Sequence, residues 1–291
     1  MRANQRSRTA EWIAAMRAAH LRYDRPVIFE DPLAIHLTSR GWRWIVDHPP
    51  LYRLVVRATG LARARGAILA RARYTEDRLE AAVRSGIGQY VIVGAGLDSF
   101  AWRRRDLAGK LMVLELDHPA SQLAKRQRLA RSGFPIPQNL ELIPVDLGQS
   151  SVAAALGRSG YRREARGFFS LLGTVQYLPR EAVTATLRSI ADVAAVGSEL
   201  VLSYIQPREA FEPAQRSAFD RMLRFAARQG EPFMSLLDPD SFPAEVCALG
   251  YRLVENASPR EQAASYFAGR TDDLEPSSLL LAYLAHFRVG R

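Results

Sequence analysis

The sequence contains a single cysteine, Cys247, among 291 residues. One cysteine cannot form an intramolecular disulfide or a cysteine-built zinc site, and this composition suits a reducing compartment. Apolar runs also stop short of the ~20 residues that cross a bilayer, and the basic start of the chain has no signal-peptide pattern. We therefore expect a cytoplasmic protein without disulfides, bound metal or membrane spans.

Acidic residues are also in the minority, since 30 Asp and Glu stand against 40 Lys and Arg, a formal net charge of +10. A basic balance can indicate a nucleic-acid or other acidic partner. Arginine greatly outnumbers lysine, however, and is spread along the chain as in an arginine-rich proteome. The densest stretch covers several faces of a helix and favours a solvated surface: Arg53, Arg57, Arg63, Arg65, Arg71, Arg73 and Arg78.

Seven apolar runs have the length and composition of strands. They cover residues 90–93, 111–116, 140–145, 167–172, 199–205, 251–256 and 279–289. Helical segments fit between the first five strands, at 98–107, 118–131, 151–158 and 180–195. Strands that alternate with helices and read as continuous apolar runs predict a parallel sheet buried on both faces.

The two ends of the chain depart from this alternation. Residues 1–85 read as helical, with Asp31 predicted as the N-cap and Pro32 as the first position of a short helix. Segment 207–229 is predicted as a helical insertion. The final two strands have no convincing helix between them, which favours an antiparallel end to the sheet. We therefore predict an α/β protein with a helical cap over 1–85 and one compact core over 86–291.

The stretch "QYVIVGAGLDSF" is the strongest candidate for a ligand loop. The buried strand from Tyr90 to Val93 leads into Gly94, Ala95 and Gly96. The glycines have no side chain, so the chain can turn there and a ligand can approach the backbone. A turn that leads from such a strand into a helix is where α/β proteins bind nucleotide-like ligands. By itself, the Gly-x-Gly pattern is weak and also fits a plain tight turn.

Carboxylates end the next two predicted strands. Asp117 lies about 20 residues beyond the glycines, the offset at which an acidic residue contacts a ribose diol, and Asp146 follows the third strand. Each residue alone could simply cap a helix, but the ordered set favours an adenosine laid across the carboxyl edge of the sheet. Asp98 is awkward beside a pyrophosphate and suits a ligand with an ammonium and a sulfonium. This combination of charges points to S-adenosyl-L-methionine.

The stretch "RARYTEDRLEAAVRSGIGQYVIVGAGLDSFAWR" resembles the core of the leucine carboxyl methyltransferase family, which includes bacterial members acting on polyketide carboxylates. "RYDRPVIFEDPLA", "LGTVQYLPREAV" and "GSELVLSYIQP" are also similar to bacterial members, so that the likeness covers about residues 10–290. The resemblance implies a Rossmann-like class I methyltransferase fold, with a seven-stranded, mostly parallel sheet, helices on both faces and an N-terminal helical cap. It also implies an O-methyltransferase of secondary metabolism.

The resemblance further implies roles for individual residues. Arg73 would pair with the methionine carboxylate, and Asp117 would hold the ribose. One departure from the family pattern is Leu172, where eukaryotic members carry a Glu in the fourth strand. The complete implied cofactor set is Arg73, Gly94, Ala95, Gly96, Asp98, Asp117, Asp146 and Leu147.

The methyl acceptor is predicted to be a carboxylic acid, either a small molecule or a peptide-like metabolite. A carboxylate of pKa ~4 is already ionised near neutrality and needs no general base, and none of the five histidines lies in a recognisable catalytic motif. Candidates for the acceptor pocket are Tyr23, Tyr177 and Tyr204, although packing in the core explains such tyrosines about as often.

Two alternatives remain open from the sequence alone. The net charge permits an RNA-modifying methyltransferase, although this compact chain shows no appended RNA-binding segment. Gly-x-Gly together with Asp117 also permits an NAD(P)-dependent oxidoreductase. The sequence makes no prediction of oligomeric state.

Overall fold

A computed structural model describes residues 8–59, 64–270, 272, 274 and 282–290. Its centre is a seven-stranded sheet in the order β3-β2-β1-β4-β5-β7-β6. The strands are β1 (Gln89–Val93), β2 (Met112–Asp117), β3 (Leu140–Pro144), β4 (Phe168–Leu171), β5 (Glu199–Tyr204), β6 (Tyr251–Ala257) and β7 (Tyr283–Val289). All seven predicted strands are present; residues 279–281 of the last prediction lie outside the described part of the chain.

The first five strands run parallel, and β7 pairs antiparallel with both β5 and β6. The predicted parallel sheet with an antiparallel end is therefore confirmed. β7 lies between β5 and β6, although it follows β6 in the chain. The parallel strands all end at one edge, which places the loops after β1, β2, β3 and β4 side by side.

Helices cover both faces of the sheet. They are α1 (Arg8–Tyr23), α2 (Arg40–Asp47), α3 (Pro49–Thr59), α4 (Arg65–Arg84), α5 (Phe100–Arg103), α6 (Pro119–Arg131), α7 (Val152–Leu156), α8 (Arg180–Val193), α9 (Pro213–Arg228), α10 (Phe242–Cys247) and α11 (Pro259–Tyr266). None of these described helices is both long enough and apolar enough to span a bilayer.

The helix α11 corrects the expectation that no helix separates the last two strands. Ser258 caps it and forms a capping box with Glu261, and Pro259 occupies the first turn. These residue types pre-organise a helix start. The sequence "SPRE" carried this signal, although the segment has little apolar periodicity.

Asp31 also differs from its prediction. Only a short 3-10 turn forms after it, over Ala34–Leu37, and the N-cap position belongs to Leu33. The Asp31 carboxylate does accept the Leu33 amide at 3.2 Å, but it is buried and makes longer-range contacts as well.

Each strand of the parallel sheet sends alternate side chains to two separate cores. Val91 and Val93 pack in the core beside α7 and α8, whereas Tyr90 and Ile92 pack in the core beside α4 and α5. A smaller apolar cluster joins α1, α2 and α3. Helix α4 ends at Arg84, and β1 begins five residues later at Gln89. The division of the chain into a cap over 1–85 and a core over 86–291 stays a prediction.

Candidate functional site

The glycine loop follows β1 and is closely packed. Gly94 has a φ of +76°, and a Cβ there would lie 2.5 Å from the Thr174 hydroxyl oxygen. A side chain would therefore be strained and would clash with the loop after β4. The Gly94 amide still donates to the Leu116 carbonyl at 2.8 Å, so the loop stays tied to β2. Gly96 also has a positive φ, +53°. Both glycines therefore lie at the carboxyl edge of the sheet in a backbone conformation that other residues rarely adopt.

Asp117 ends β2 and faces this loop. One carboxylate oxygen accepts the Gly96 amide, and the other accepts the His118 amide at 2.5 Å. Burial raises the pKa of Asp117, while the two backbone hydrogen bonds act in the opposite direction. Each carboxylate oxygen has a second lone pair, which leaves acceptor capacity for two neighbouring hydroxyls. The structure thus brings together Asp117 and Gly96, as expected from the sequence.

Two arginines of α4 lie close in sequence but on different faces of the helix. Arg73 is half exposed, and its Nε donates to Asp77 at 2.7 Å. Arg71 packs against Gly173 in the loop after β4, so closely that a Cβ there would overlap its guanidinium. The structure therefore does not bring Arg73 into the site, because two residues rotate a side chain about 200° around a helix. Arg71 stands there instead.

Arg71 has the electrostatic properties of an anion-binding group. Burial lowers the pKa of its guanidinium to about 10, with a smaller contribution from Arg17, while Tyr177 and Asp98 favour the charged form. It stays protonated at neutral pH. Within the described residues, no carboxylate lies in salt-bridge distance of Arg71. A partly buried guanidinium without a paired carboxylate among the described residues fits a ligand that brings one.

A sequence signal for Arg71 existed in the periodicity of α4. Tyr74, Thr75 and Leu79 are buried, and Arg71 precedes them by three, four and eight residues, which puts it on the same helical stripe. Arg73 falls outside that stripe.

The remaining predicted cofactor residues have mixed surroundings. Ala95 is buried, and the Asp98 carboxylate accepts the Phe100 amide at 2.7 Å. Asp146 accepts the Gly148 amide at 2.9 Å and the Gln149 side chain at 3.0 Å, so it orders its own turn. Leu147 is partly buried against the sheet core. The assignments of Asp98, Asp146 and Leu147 to a cofactor stay predictions.

A cavity of about 100 Å³ opens beside Arg71. It is mostly apolar, with walls from α1, α4, α9, the end of β5 and the loop after β4. Trp12 and Phe225 meet across it with ring centroids 4.9 Å apart, and Tyr177 and Phe233 meet at 5.3 Å. The lining residues on the three helices include Trp12, Ile13, Met16, Ile68, Arg71, Met222 and Phe225.

The three candidate tyrosines, Tyr23, Tyr177 and Tyr204, differ in their position relative to this cavity. Tyr177 lines this cavity. Tyr204 is fully buried in the core, donates to Asn256 at 2.9 Å and stacks on Tyr283. Its neighbours Ser203 and Ile205 line the cavity instead, because successive side chains of a strand point to opposite faces.

Tyr23 also lies away from the cavity, among the described contacts of the cap. Its hydroxyl donates to the Val46 carbonyl, and its ring packs near Tyr52. The cavity-lining part of α1 ends at Met16, and Tyr23 lies about 10 Å further along the helix. The structure therefore does not bring Tyr23 or Tyr204 to this cavity.

The titratable side chains that line the cavity, among the described residues, are Arg71 and Tyr177. Burial raises the pKa of Tyr177, with a further contribution from the charge of Glu231. Both groups are therefore protonated hydrogen-bond donors near neutral pH. Ser203 and Gln176 also line the cavity and lie near Arg71, because both hydrogen-bond with Gly173, against which Arg71 packs. This arrangement can bind an anionic oxygen at the junction of the loop and the cavity.

Known proteins share both the sequence pattern and the fold. Residues 10–191 match the family described as leucine carboxyl methyltransferase. "Putative S-adenosyl-L-methionine-dependent methyltransferase YktD" of Bacillus subtilis strain 168 is 28% identical over 291 residues, covering 94% of this chain and 95% of the relative. A Mycobacteroides abscessus protein, "Putative S-adenosyl-L-methionine-dependent methyltransferase", is 32% identical over 235 residues, covering 77% of this chain and 73% of the relative.

Two solved structures show the same fold over nearly the whole chain. A "duf574 family protein" from Streptomyces avermitilis MA-4680 superposes with a TM-score of 0.64 at 13% identity, covering 99% of this chain and 98% of that one. A "putative methyltransferase" from Thermobifida fusca YX gives a TM-score of 0.61 at 14% identity, covering 98% of each chain.

The fold, the glycine loop and these relatives define a Rossmann-like, S-adenosylmethionine-dependent methyltransferase. Within that class, the chain belongs to the leucine carboxyl methyltransferase family. The nicotinamide-dependent alternative is thereby set aside. The site fits S-adenosyl-L-methionine, because it offers bare backbone at Gly94, the Asp117 carboxylate beside Gly96, and Arg71, which has no carboxylate at salt-bridge distance in the described part of the chain.

Proposed function

We propose that this protein methylates a carboxylate oxygen of an apolar small-molecule or peptide-like acid, giving a methyl ester. The observation that carries the proposal is the pairing of an apolar cavity with two protonated donors, Arg71 and Tyr177, at its end. Such donors suit an acceptor oxygen that is already anionic, whereas a hydroxyl acceptor needs a base to remove its proton.

On the cofactor side, we propose that Arg71 binds the methionine carboxylate and that Asp117 accepts hydrogen bonds from the ribose hydroxyls. Gly94 and Gly96 allow close approach of the loop backbone, and Asp146 with Leu147 is proposed to contact the adenine. Arg71 replaces Arg73 in this assignment because Arg73 is half exposed and paired with Asp77. Both arginines belong to the same "RAR" motif.

S-adenosylmethionine supplies an electrophilic methyl group on a sulfonium, and its transfer to a carboxylate oxygen forms a C–O bond, breaks the C–S bond and moves no proton. The chain contributes by positioning and by excluding water. Trp12, Phe225 and Phe233 enclose the acceptor in apolar surroundings, which strengthens the attraction between an anionic oxygen and a cationic methyl donor. Tyr177 orients the carboxylate by donating to one oxygen.

The test is transfer of a labelled methyl group from the cofactor to a panel of apolar acids, phenols and alcohols. We expect label in the acids and its release as methanol in mild alkali, because esters hydrolyse where ethers do not. The rate should be nearly flat from about pH 6 to about 8, since a carboxylate of pKa ~4 stays ionised throughout. Base-resistant product, or a rate rising steeply across this range, contradicts the proposal.

A further inference from the structure

Asp31 lies in a buried cluster of charges that joins the N-terminal helices to the glycine loop. The residue is 1% exposed. Its Oδ2 atom accepts the Ser99 hydroxyl at 2.7 Å and lies 3.3 Å from Nε of Arg17. Arg103 stands on the other side, with Nε 3.7 Å from Oδ1 of Asp31 and 3.1 Å from the Ser99 hydroxyl oxygen. Asp31 thus connects α1 and α5 through one carboxylate.

Arg17 makes a second contact to the same loop. Its Nη2 donates to the Leu97 carbonyl at 2.6 Å, and the residue is 6% exposed. Leu97 directly follows Gly96, and Ser99 lies two residues further along, after Asp98. Arg17 and Asp31 therefore hold the part of the loop that connects the glycines to α5. A buried carbonyl and a buried hydroxyl that lost these partners would carry a desolvation cost.

The helix that carries Arg17 also forms a wall of the acceptor cavity. Trp12, Ile13 and Met16 line the cavity, and Arg17 is the next residue along. At the N-terminal end of α1, Ala10 packs over the glycine loop, where its Cβ lies 3.6 Å from the position a Gly96 Cβ would take. One helix therefore contacts both the cofactor loop and the acceptor side.

We infer that the Arg17–Asp31 pair positions the glycine loop, so that S-adenosylmethionine binding and docking of α1 depend on each other. Because coupling between two equilibria is reciprocal, a bound cofactor also stabilises α1 on the loop and completes the cavity wall. The acceptor then binds better to the cofactor-loaded protein than to the free protein. Arg17 and Asp31 are positioning residues in this scheme, since they act through Leu97 and Ser99.

A second buried carboxylate provides a matched control. Asp24 is also 1% exposed and also has two basic partners, because His20 contacts it at 2.8 Å and Arg65 pairs with its other oxygen. Burial alone would raise the pKa of Asp24, but His20 and Arg65 lower it. These side-chain partners belong to α1 and α4 and not to the glycine loop. Replacing Asp24 therefore removes a similar buried charge without touching the loop.

The experiment compares Asp31→Asn with Asp24→Asn by calorimetric titration of S-adenosylhomocysteine. We expect both variants to lower the melting temperature, whereas Asp31→Asn alone weakens cofactor binding by about tenfold or more. In steady-state assays, Asp31→Asn should raise the KM for S-adenosylmethionine more than it lowers kcat. An equal loss of affinity in both variants, or none in either, overturns the inference.

A milder pair of variants decides the matter if Asp31→Asn does not fold. Ser99→Ala removes the hydroxyl that contacts Asp31, and Ser198→Ala removes a buried hydroxyl that accepts the Gly167 amide at 3.0 Å before β5. We expect about threefold or greater weakening of S-adenosylhomocysteine binding in Ser99→Ala and none in Ser198→Ala. Unchanged affinity in folded Ser99→Ala contradicts the positioning role.

Hydrogen exchange tests the reciprocal effect. Saturating S-adenosylhomocysteine should slow exchange of the α1 amides in the wild-type protein and in Asp24→Asn, and should have less effect in Asp31→Asn. Equal protection of α1 in all three proteins overturns the coupling. The titrations of S-adenosylhomocysteine and the exchange measurements use no methyl acceptor, so their failure leaves the proposed ester product untouched, and failure of ester formation leaves them valid.

Discussion

The two sides of the site meet at Arg71 but are built from different groups. The proposed cofactor side consists of backbone, carboxylates and a partly buried guanidinium, and its loops leave no room for side chains at Gly94 or Gly173. The proposed acceptor side consists mainly of apolar side chains from three helices. Hydrogen bonds and charges impose strict geometry, whereas apolar walls tolerate changes of shape that preserve volume. We infer that substitutions on the cofactor side weaken binding of the cofactor, whereas substitutions on the acceptor side weaken binding of the acid.

The largest effect is expected for Arg71→Ala. Loss of a bidentate, charge-assisted contact should weaken S-adenosylhomocysteine binding by about 3 kcal/mol, or ~100-fold. Arg73→Ala is the matched control in the same helix turn, and it should leave binding unchanged because Arg73 contacts Asp77. Titration calorimetry measures both. A larger loss in Arg73→Ala than in Arg71→Ala would assign the cofactor contact to Arg73, as the family resemblance implies.

Asp117→Ala should follow, with cofactor binding weakened by about 1.5–3 kcal/mol because hydrogen bonds to a charged group are lost. The fold should persist, since Asp117 lies at a strand end. The control is Asp146→Ala, whose carboxylate orders its own turn; a smaller loss is expected there. If folded Asp117→Ala binds S-adenosylhomocysteine as well as the wild type, the proposed position of the ribose is wrong.

On the acceptor side, Trp12→Ala should raise the KM for the acid substrate by about tenfold, because it removes apolar contact area from the cavity wall. Binding of S-adenosylhomocysteine should change little. Trp44→Ala is the control, since Trp44 is 58% exposed and does not line the cavity. A variant that loses cofactor and acid binding equally would show that the two sides are not separable at this residue.

The smallest effect is expected for Tyr177→Phe, which removes one hydrogen-bond donor and keeps the ring. Transfer to the acid, measured as kcat/KM, should fall by about threefold to tenfold. Tyr204→Phe should leave kcat/KM unchanged and lower only stability, because the Tyr204 hydroxyl contacts Asn256 in the core. A normal rate in Tyr177→Phe would remove Tyr177 from the proposed mechanism.

Most of the sheet could be predicted from the sequence because buried strands leave a local signal. Continuous apolar runs located β1 to β5 to within one or two residues. The loop at Gly94 and the carboxylate of Asp117 were also predictable, since they occupy fixed positions relative to their strands. Local pattern does not give the direction of a side chain: Arg71 and Arg73 are near neighbours, and only the burial of one helix face separates them.

Contacts between distant segments left no local signal. Asp31 and Ser99 are 68 residues apart in sequence, and the pattern around Asp31 resembles an ordinary helix cap. Tyr204 ends a strand whose neighbouring side chains line the cavity, so its direction depends on which sheet face the core covers. These residues could be assigned only once the layers of the fold were known.

The position of β7 between β5 and β6 has a consequence for biosynthesis. While the polypeptide is emerging from the ribosome, β6 is made before β7, yet β7 is its one neighbour among the described strands of the finished sheet. The backbone N–H and C=O groups along the β7-facing edge of β5 also stay unpaired with β7 until β7 has been made. The nascent chain therefore passes through a stage with an unsatisfied strand edge, the kind of surface that chaperones shield from aggregation.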